Sequence, residues 1–102
     1  MREYIYVLKL IPKFHDEKNW TENDHEIISR HFLRLKKYCE EGIVLTAGKT
    51  DRVDENGFGI VIFQAENDEK AAEFMREDPA VIHNMMTAQV LPYRTALMKD
   101  RI

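Results

Sequence analysis

Two short segments constrain this chain more than anything else in it. Residues 4–10 (Tyr-Ile-Tyr-Val-Leu-Lys-Leu) and 58–65 (Phe-Gly-Ile-Val-Ile-Phe-Gln-Ala) are rich in aromatic and β-branched side chains, the types that fit a pleated surface. Successive side chains of a strand point to opposite faces. In the first segment Tyr4, Tyr6, Leu8 and Leu10 share one face, and Ile5 and Val7 share the other, broken only by Lys9. In the second, Phe58, Ile60 and Ile62 oppose Val61, Phe63 and Ala65. Both strands therefore require cover on both sides. A chain of 102 residues, 44% of them hydrophobic, has a single modest core with which to provide it.

The remaining pattern supplies cover for one side only. Thr21 is placed to cap a helix over 22–41, with Glu22 and Asp24 in its first turn. Along it Ile27, Ile28, His31, Phe32, Leu35, Tyr38 and Cys39 recur at helical spacing. Gly42 stands where the left-handed C-terminal residue belongs. A strand is expected over 43–47, a polar turn over 51–57, and a second helix after Asn67 with Ala71, Ala72, Phe74 and Met75 inward. That helix must stop before Pro79, since the residue preceding proline avoids the α region. Pro79 then opens a short helix to His83, and residues 86–97 form the last strand, with Pro92 marking an edge or bulge. The order β-α-β-β-α-β is the α+β, ferredoxin-like arrangement: a four-stranded antiparallel sheet with two main helices on one face. The open face stays apolar, so a homodimer packed sheet to sheet is expected. The alternative is a C-terminal segment folded back over it.

Charge and cysteine content narrow the function. Fifteen basic against eighteen acidic residues leave a formal charge of −3, without the clustered basic footprint of a nucleic-acid binder. No apolar run is long enough to span a bilayer, and no charged-then-apolar leader begins the chain. One cysteine, Cys39, forms no internal disulfide, which fits a cytoplasmic protein. No pair of histidines has ligand spacing on one face, so neither metal nor cofactor is called for.

Two residues stand out as candidates for chemistry. His31 lies on the apolar stripe of the first helix, where an unpaired imidazole would cost about 1–3 kcal/mol. Asp78, in Glu-Asp-Pro at 77–79, is by default a helix cap, yet the topology sets the two helices side by side and lets it meet His31 in one cleft. Such a pair is a general acid–base; its bland counterpart is a histidine bonded to a backbone carbonyl. Arg34, one turn along, is placed either to clamp an anionic substrate or to lie along the apolar surface. His15 and His25 read as solvated, Trp20 and Tyr93 as packing residues, Cys39 as a small buried group, and Gly57 and Gly59 as a hairpin turn rather than a phosphate loop.

The run His-Phe-Leu-Arg-Leu-Lys (31–36), Gly42, Leu-Thr-Ala-Gly (45–48), Asp78-Pro79 and Val-Leu-Pro-Tyr (90–93) resembles the YciI-like, or YCII-related, domain family over nearly the whole chain. The resemblance implies a dimeric α+β barrel of ferredoxin-like protomers. It also implies a cleft with a histidine and an aspartate, which fall on His31 and Asp78. Three positions depart from the pattern: Ile28 where arginine is frequent, Lys49 where proline is usual and Asn84 where glycine is common. The stretch 13–20 is expected as an extended rim loop over the cleft. Most members have no established reaction, and some resemble enzymes that eliminate halide from chlorinated aromatic-derived acids. The expectation is a cofactor-independent lyase, isomerase or hydrolase acting on a small anionic molecule. A non-catalytic metabolite-binding or assembly module is the rival, and a cofactor-free monooxygenase of related fold is a more distant third.

Overall fold

The computed structural model describes residues 1–99. Four strands, β1 (Arg2–Leu10), β2 (Val44–Lys49), β3 (Gly59–Ala65) and β4 (Met86–Pro92), form one sheet in the order β2-β3-β1-β4 with every neighbour antiparallel. Helices α1 (Glu22–Glu40) and α2 (Asp68–Arg76) are the crossovers, and a single turn, α3 (Pro79–Ile82), follows α2. The ferredoxin-like expectation is met. Among the described residues no helix is long and apolar enough to cross a membrane.

Local chemistry sets the boundaries. The Thr21 side chain accepts the Asp24 N–H, and the Asp24 carboxylate accepts the Thr21 N–H, a reciprocal capping box. Gly42 takes φ +84° just past α1, a conformation that strains any residue with a Cβ. Asn84, at φ +57°, is the one described non-glycine residue with positive φ; asparagine tolerates that region better than most, so it serves where glycine would be easier. Asn67 caps α2 through the Lys70 N–H.

The strand faces divide as the alternation predicts. Tyr4, Tyr6, Leu8, Val61, Phe63 and Ala65 are buried under Leu35 of α1 and Ala71 of α2. Phe63 stacks on Phe74 at 4.7 Å and meets Tyr6 edge-on at 5.5 Å, arrangements that favour aromatic pairs beyond their buried area. Ile5, Val7 and Ile60 lie half-buried on the opposite face, beside Ile62 and Leu91.

Two expectations need correction. The last strand ends at Pro92, not at residue 97. Its partner β1 begins at Arg2, so little ladder remains beyond Tyr93, whose N–H reaches the Glu3 carbonyl; the Thr95 N–H turns instead to the Glu3 carboxylate. Leu97 is 94% exposed, whereas Thr95 Oγ1 and Ile62 are buried. The stretch 13–20, in turn, is two 3-10 turns that bury Phe14 against Ile27 and Met85. The Trp20 indole N–H, bonded to the Phe14 carbonyl at 2.9 Å, pins it there.

Candidate functional site

The break between α2 and α3 creates the site. Asp78 precedes Pro79 and takes an extended conformation, φ −65° and ψ 127°, as a residue before proline should. Its Oδ1 accepts the Ala80 N–H at 2.9 Å, capping α3. The same oxygen lies 2.6 Å from His31 Nδ1 on α1, which packs against α3. The cap and the acid–base partner are therefore one carboxylate. Its other oxygen, Oδ2, accepts the Tyr6 hydroxyl at 2.8 Å, and Asp78 has no exposed surface.

Electrostatics follow from this geometry. Burial pushes the Asp78 carboxyl upward, but the hydrogen bond and charge of His31, with help from Tyr6 and Ala80, more than offset it and hold the group below the usual carboxylate range. Burial first, and then the neighbouring Asp78 charge, push the Tyr6 phenol far above its ordinary value, with Arg34 opposing. Tyr6 is thus a neutral, fixed donor. With the Asp78 carboxylate as its acceptor, Nδ1 is the nitrogen that carries a proton. No protein group among the described residues bonds Nε2.

His31 lines a cleft of about 610 Å³ between one side of α1 and the sheet. Ile28, Phe32 and Leu35 form its α1 wall, Leu8, Gly59 and Val61 its floor, and Arg52, Val53 and Asp54 of the β2–β3 connection close one end. That connection is tightly folded. The Arg52 guanidinium grips the Asp54 carboxylate, Thr50 and Phe58 bond each other, and a Cβ on Gly57 would clash with the Arg52 carbonyl oxygen.

His31 and Asp78 meet as expected, but only His31 reaches the cleft; Asp78 lies sealed behind it. Arg34 lies elsewhere. Its Nη2 donates to the Phe74 carbonyl at 2.8 Å, its guanidinium carbon sits 4.3 Å from the Phe74 ring centre, and Nη1 is buried without a hydrogen-bond partner. It joins α1 to α2 and does not line the cleft, so the packing alternative describes its surroundings. Cys39 is exposed on the cleft side rather than buried, and Phe32 on the same stripe is 62% exposed, because the sheet stands away from that part of α1. The stretch 13–20 does not line the cleft either; the β2–β3 connection takes that place. His25 is exposed, as expected, with its ring tilted 35° against Trp20 at 5.1 Å, whereas His15 is half-buried with Nε2 3.2 Å from the Leu10 carbonyl.

Sequence reasoning passed over Tyr6. The available signal was a tyrosine on the inward face of a strand, since a buried phenol needs a hydrogen-bond partner. Among the described residues no group of three or more His, Cys, Asp or Glu is arranged to hold a metal.

Comparison with known proteins adds one finding. The sequence model of the YCII-related domain matches residues 6–94, a span containing both His31 and Asp78. No curated protein shows significant similarity to the chain.

Proposed function

Because the chain belongs to the YCII-related domain family, we propose that it is a small cytoplasmic enzyme in which His31 performs general acid–base chemistry on a small anionic organic molecule, without nucleic acid or membrane as partner. The observation that carries this reading is the 2.6 Å contact between His31 Nδ1 and a buried Asp78, with the imidazole bordering an open cleft. Nε2 accepts a proton from a C–H bond or from water. The resulting imidazolium is stabilised by Asp78, and Nε2 returns the proton to the departing or rearranged group. Asp78 touches no substrate; it is a positioning residue that selects the tautomer and balances the charge. Isomerisation, elimination and hydrolysis all use such a transfer, which contributes about 10²–10⁴ in rate. The test is to incubate cyclic and unsaturated carboxylic acids with the protein in D₂O and follow deuterium uptake and products by NMR. Wild type should act on at least one acid with His31→Ala slower by that factor; equal turnover by both variants refutes the assignment.

Full burial of Asp78 favours a second reading, a non-catalytic metabolite-binding module in which the pair only holds α1 to α3. It predicts that His31→Ala lowers stability and that no acid is converted by either protein.

The open sheet face supports a homodimer. At about 4.8 Å between strands and 3.3 Å per residue, four strands of about seven residues offer roughly 450 Å² in projection, a substantial part of the roughly 800 Å² per partner in a standard interface. Its half-buried centre, Ile5, Val7 and Ile60, carries no charge, so pairing with a two-fold copy desolvates no ion there. Light scattering should give twice the 12.1 kDa chain mass, and Val7→Asp should halve it. A monomeric wild type rules this out.

A further inference from the structure

We propose that Lys49 is the anion-recognising group of the cleft, and that the cleft takes a monoanionic organic acid whose body is an apolar ring or chain. This rests on the reading of the cleft as a substrate site and specifies how that site selects its ligand. Lys49 ends β2 opposite Gly59 of β3. A Cβ built on Gly59 would lie 3.7 Å from the Lys49 Cβ and 3.9 Å from the Leu8 Cβ, so all three positions share the helix-covered face of the sheet. Gly59 carries no side chain there, and the space beside the lysine is part of the cleft.

The charges around the cleft leave this lysine available. Lys36 and Glu40 come from α1, and Arg52 and Asp54 from the β2–β3 connection. Arg52 and Asp54 are bound to each other through three hydrogen bonds. Among the described residues Lys49 has no carboxylate partner, only a 3.5 Å contact from Nζ to the Thr50 carbonyl. Taking Arg52 with Asp54 as neutral, Lys36, Lys49 and Glu40 leave a single positive charge, which one carboxylate balances. Behind that charge the walls are Ile28, Phe32, Leu35, Leu8 and Val61, and a body lying against Phe32 would cover an aromatic ring now 62% exposed. The volume, about 610 Å³, is that of sites for small organic ligands.

The test uses phenylacetate, cinnamate and octanoate with their uncharged primary amides, titrated calorimetrically into wild type, Lys49→Met, Lys49→Arg and, as a surface control, Lys70→Met. At least one acid should bind wild type and the Lys70→Met control about tenfold or more tightly than its amide. Lys49→Met should erase that preference while leaving amide binding unchanged, and Lys49→Arg should restore it. Amide ¹⁵N shifts of Gly59 and Val61 should report the bound acid. Equal affinity for acid and amide in wild type, a preference that survives Lys49→Met, or no binding by any of the three acids overturns the proposal. Failure of the acid–base reading appears separately, as equal turnover by wild type and His31→Ala, and leaves this binding preference intact.

Discussion

Replacing Asp78 by asparagine keeps the side chain's shape but deletes its charge and turns one accepting oxygen into an amide donor, and the structure sets how much that matters. The carboxylate accepts from His31 Nδ1, Tyr6 Oη and the Ala80 N–H at 2.6, 2.8 and 2.9 Å, with no exposure to water. A hydrogen bond to an ionised group contributes about 1.5–3 kcal/mol and a neutral one about 0.5–1.5. Weakening three bonds by about 1 kcal/mol each removes roughly 3 kcal/mol, and relief from burying a charge returns part of it. Asp78→Asn should therefore destabilise by about 1–3 kcal/mol near neutrality, while Asp78→Ala, which strands the donors, should lose about 3–5 kcal/mol. Urea unfolding followed by the single tryptophan, Trp20, checks this; a loss of 2 kcal/mol moves the midpoint by roughly 1 M. The pH dependence isolates the charge. Asp78 is held below its unfolded value, so its contribution is fully present above about pH 3.9 and disappears as pH falls through the lower folded value. Protonated Asp78 resembles asparagine, and the two stabilities should converge in acid. An Asp78→Asn protein as stable as wild type at pH 7, or a deficit of the same size at both ends of the range, refutes the reasoning.

Tyr6→Phe should lower stability by about 1–3 kcal/mol at pH 7, because a buried carboxylate oxygen loses its donor. Since Tyr6 is raised above its unfolded value, its neutral form stabilises fully below about pH 10 and less as pH rises further; wild type should lose more stability than the phenylalanine variant over that alkaline range. Gly42→Ala, at φ +84°, should lose about 1–2 kcal/mol in urea unfolding. Cys39 is exposed, so it should react with a thiol reagent in the folded protein, and Cys39→Ser should change stability by less than about 0.5 kcal/mol.

Local sequence determined the elements, because each boundary rests on chemistry within a few residues: the Thr21–Asp24 box, Gly42, the Asn67 cap and the Pro79 start all act on neighbouring backbone. Strand alternation likewise sorted Tyr6, Val61 and Phe63 from Ile5, Ile60 and Ile62. His31 and Asp78 were recognisable because each is a polar group where helix and sheet packing leaves few alternatives. Tertiary structure alone decided which side of α1 meets a filled sheet and which meets space. Helical period placed Phe32, Leu35 and Cys39 on one stripe but carried no information about what lies opposite them. There the sheet presents small residues, Ala47 and Gly59, which cannot fill the gap, so Phe32 and Cys39 stay exposed and His31 borders a cleft. Arg34, only three residues from His31, points instead to Phe74. That outcome depends on where α2 lies, a relation between segments far apart in the chain that no local pattern encodes.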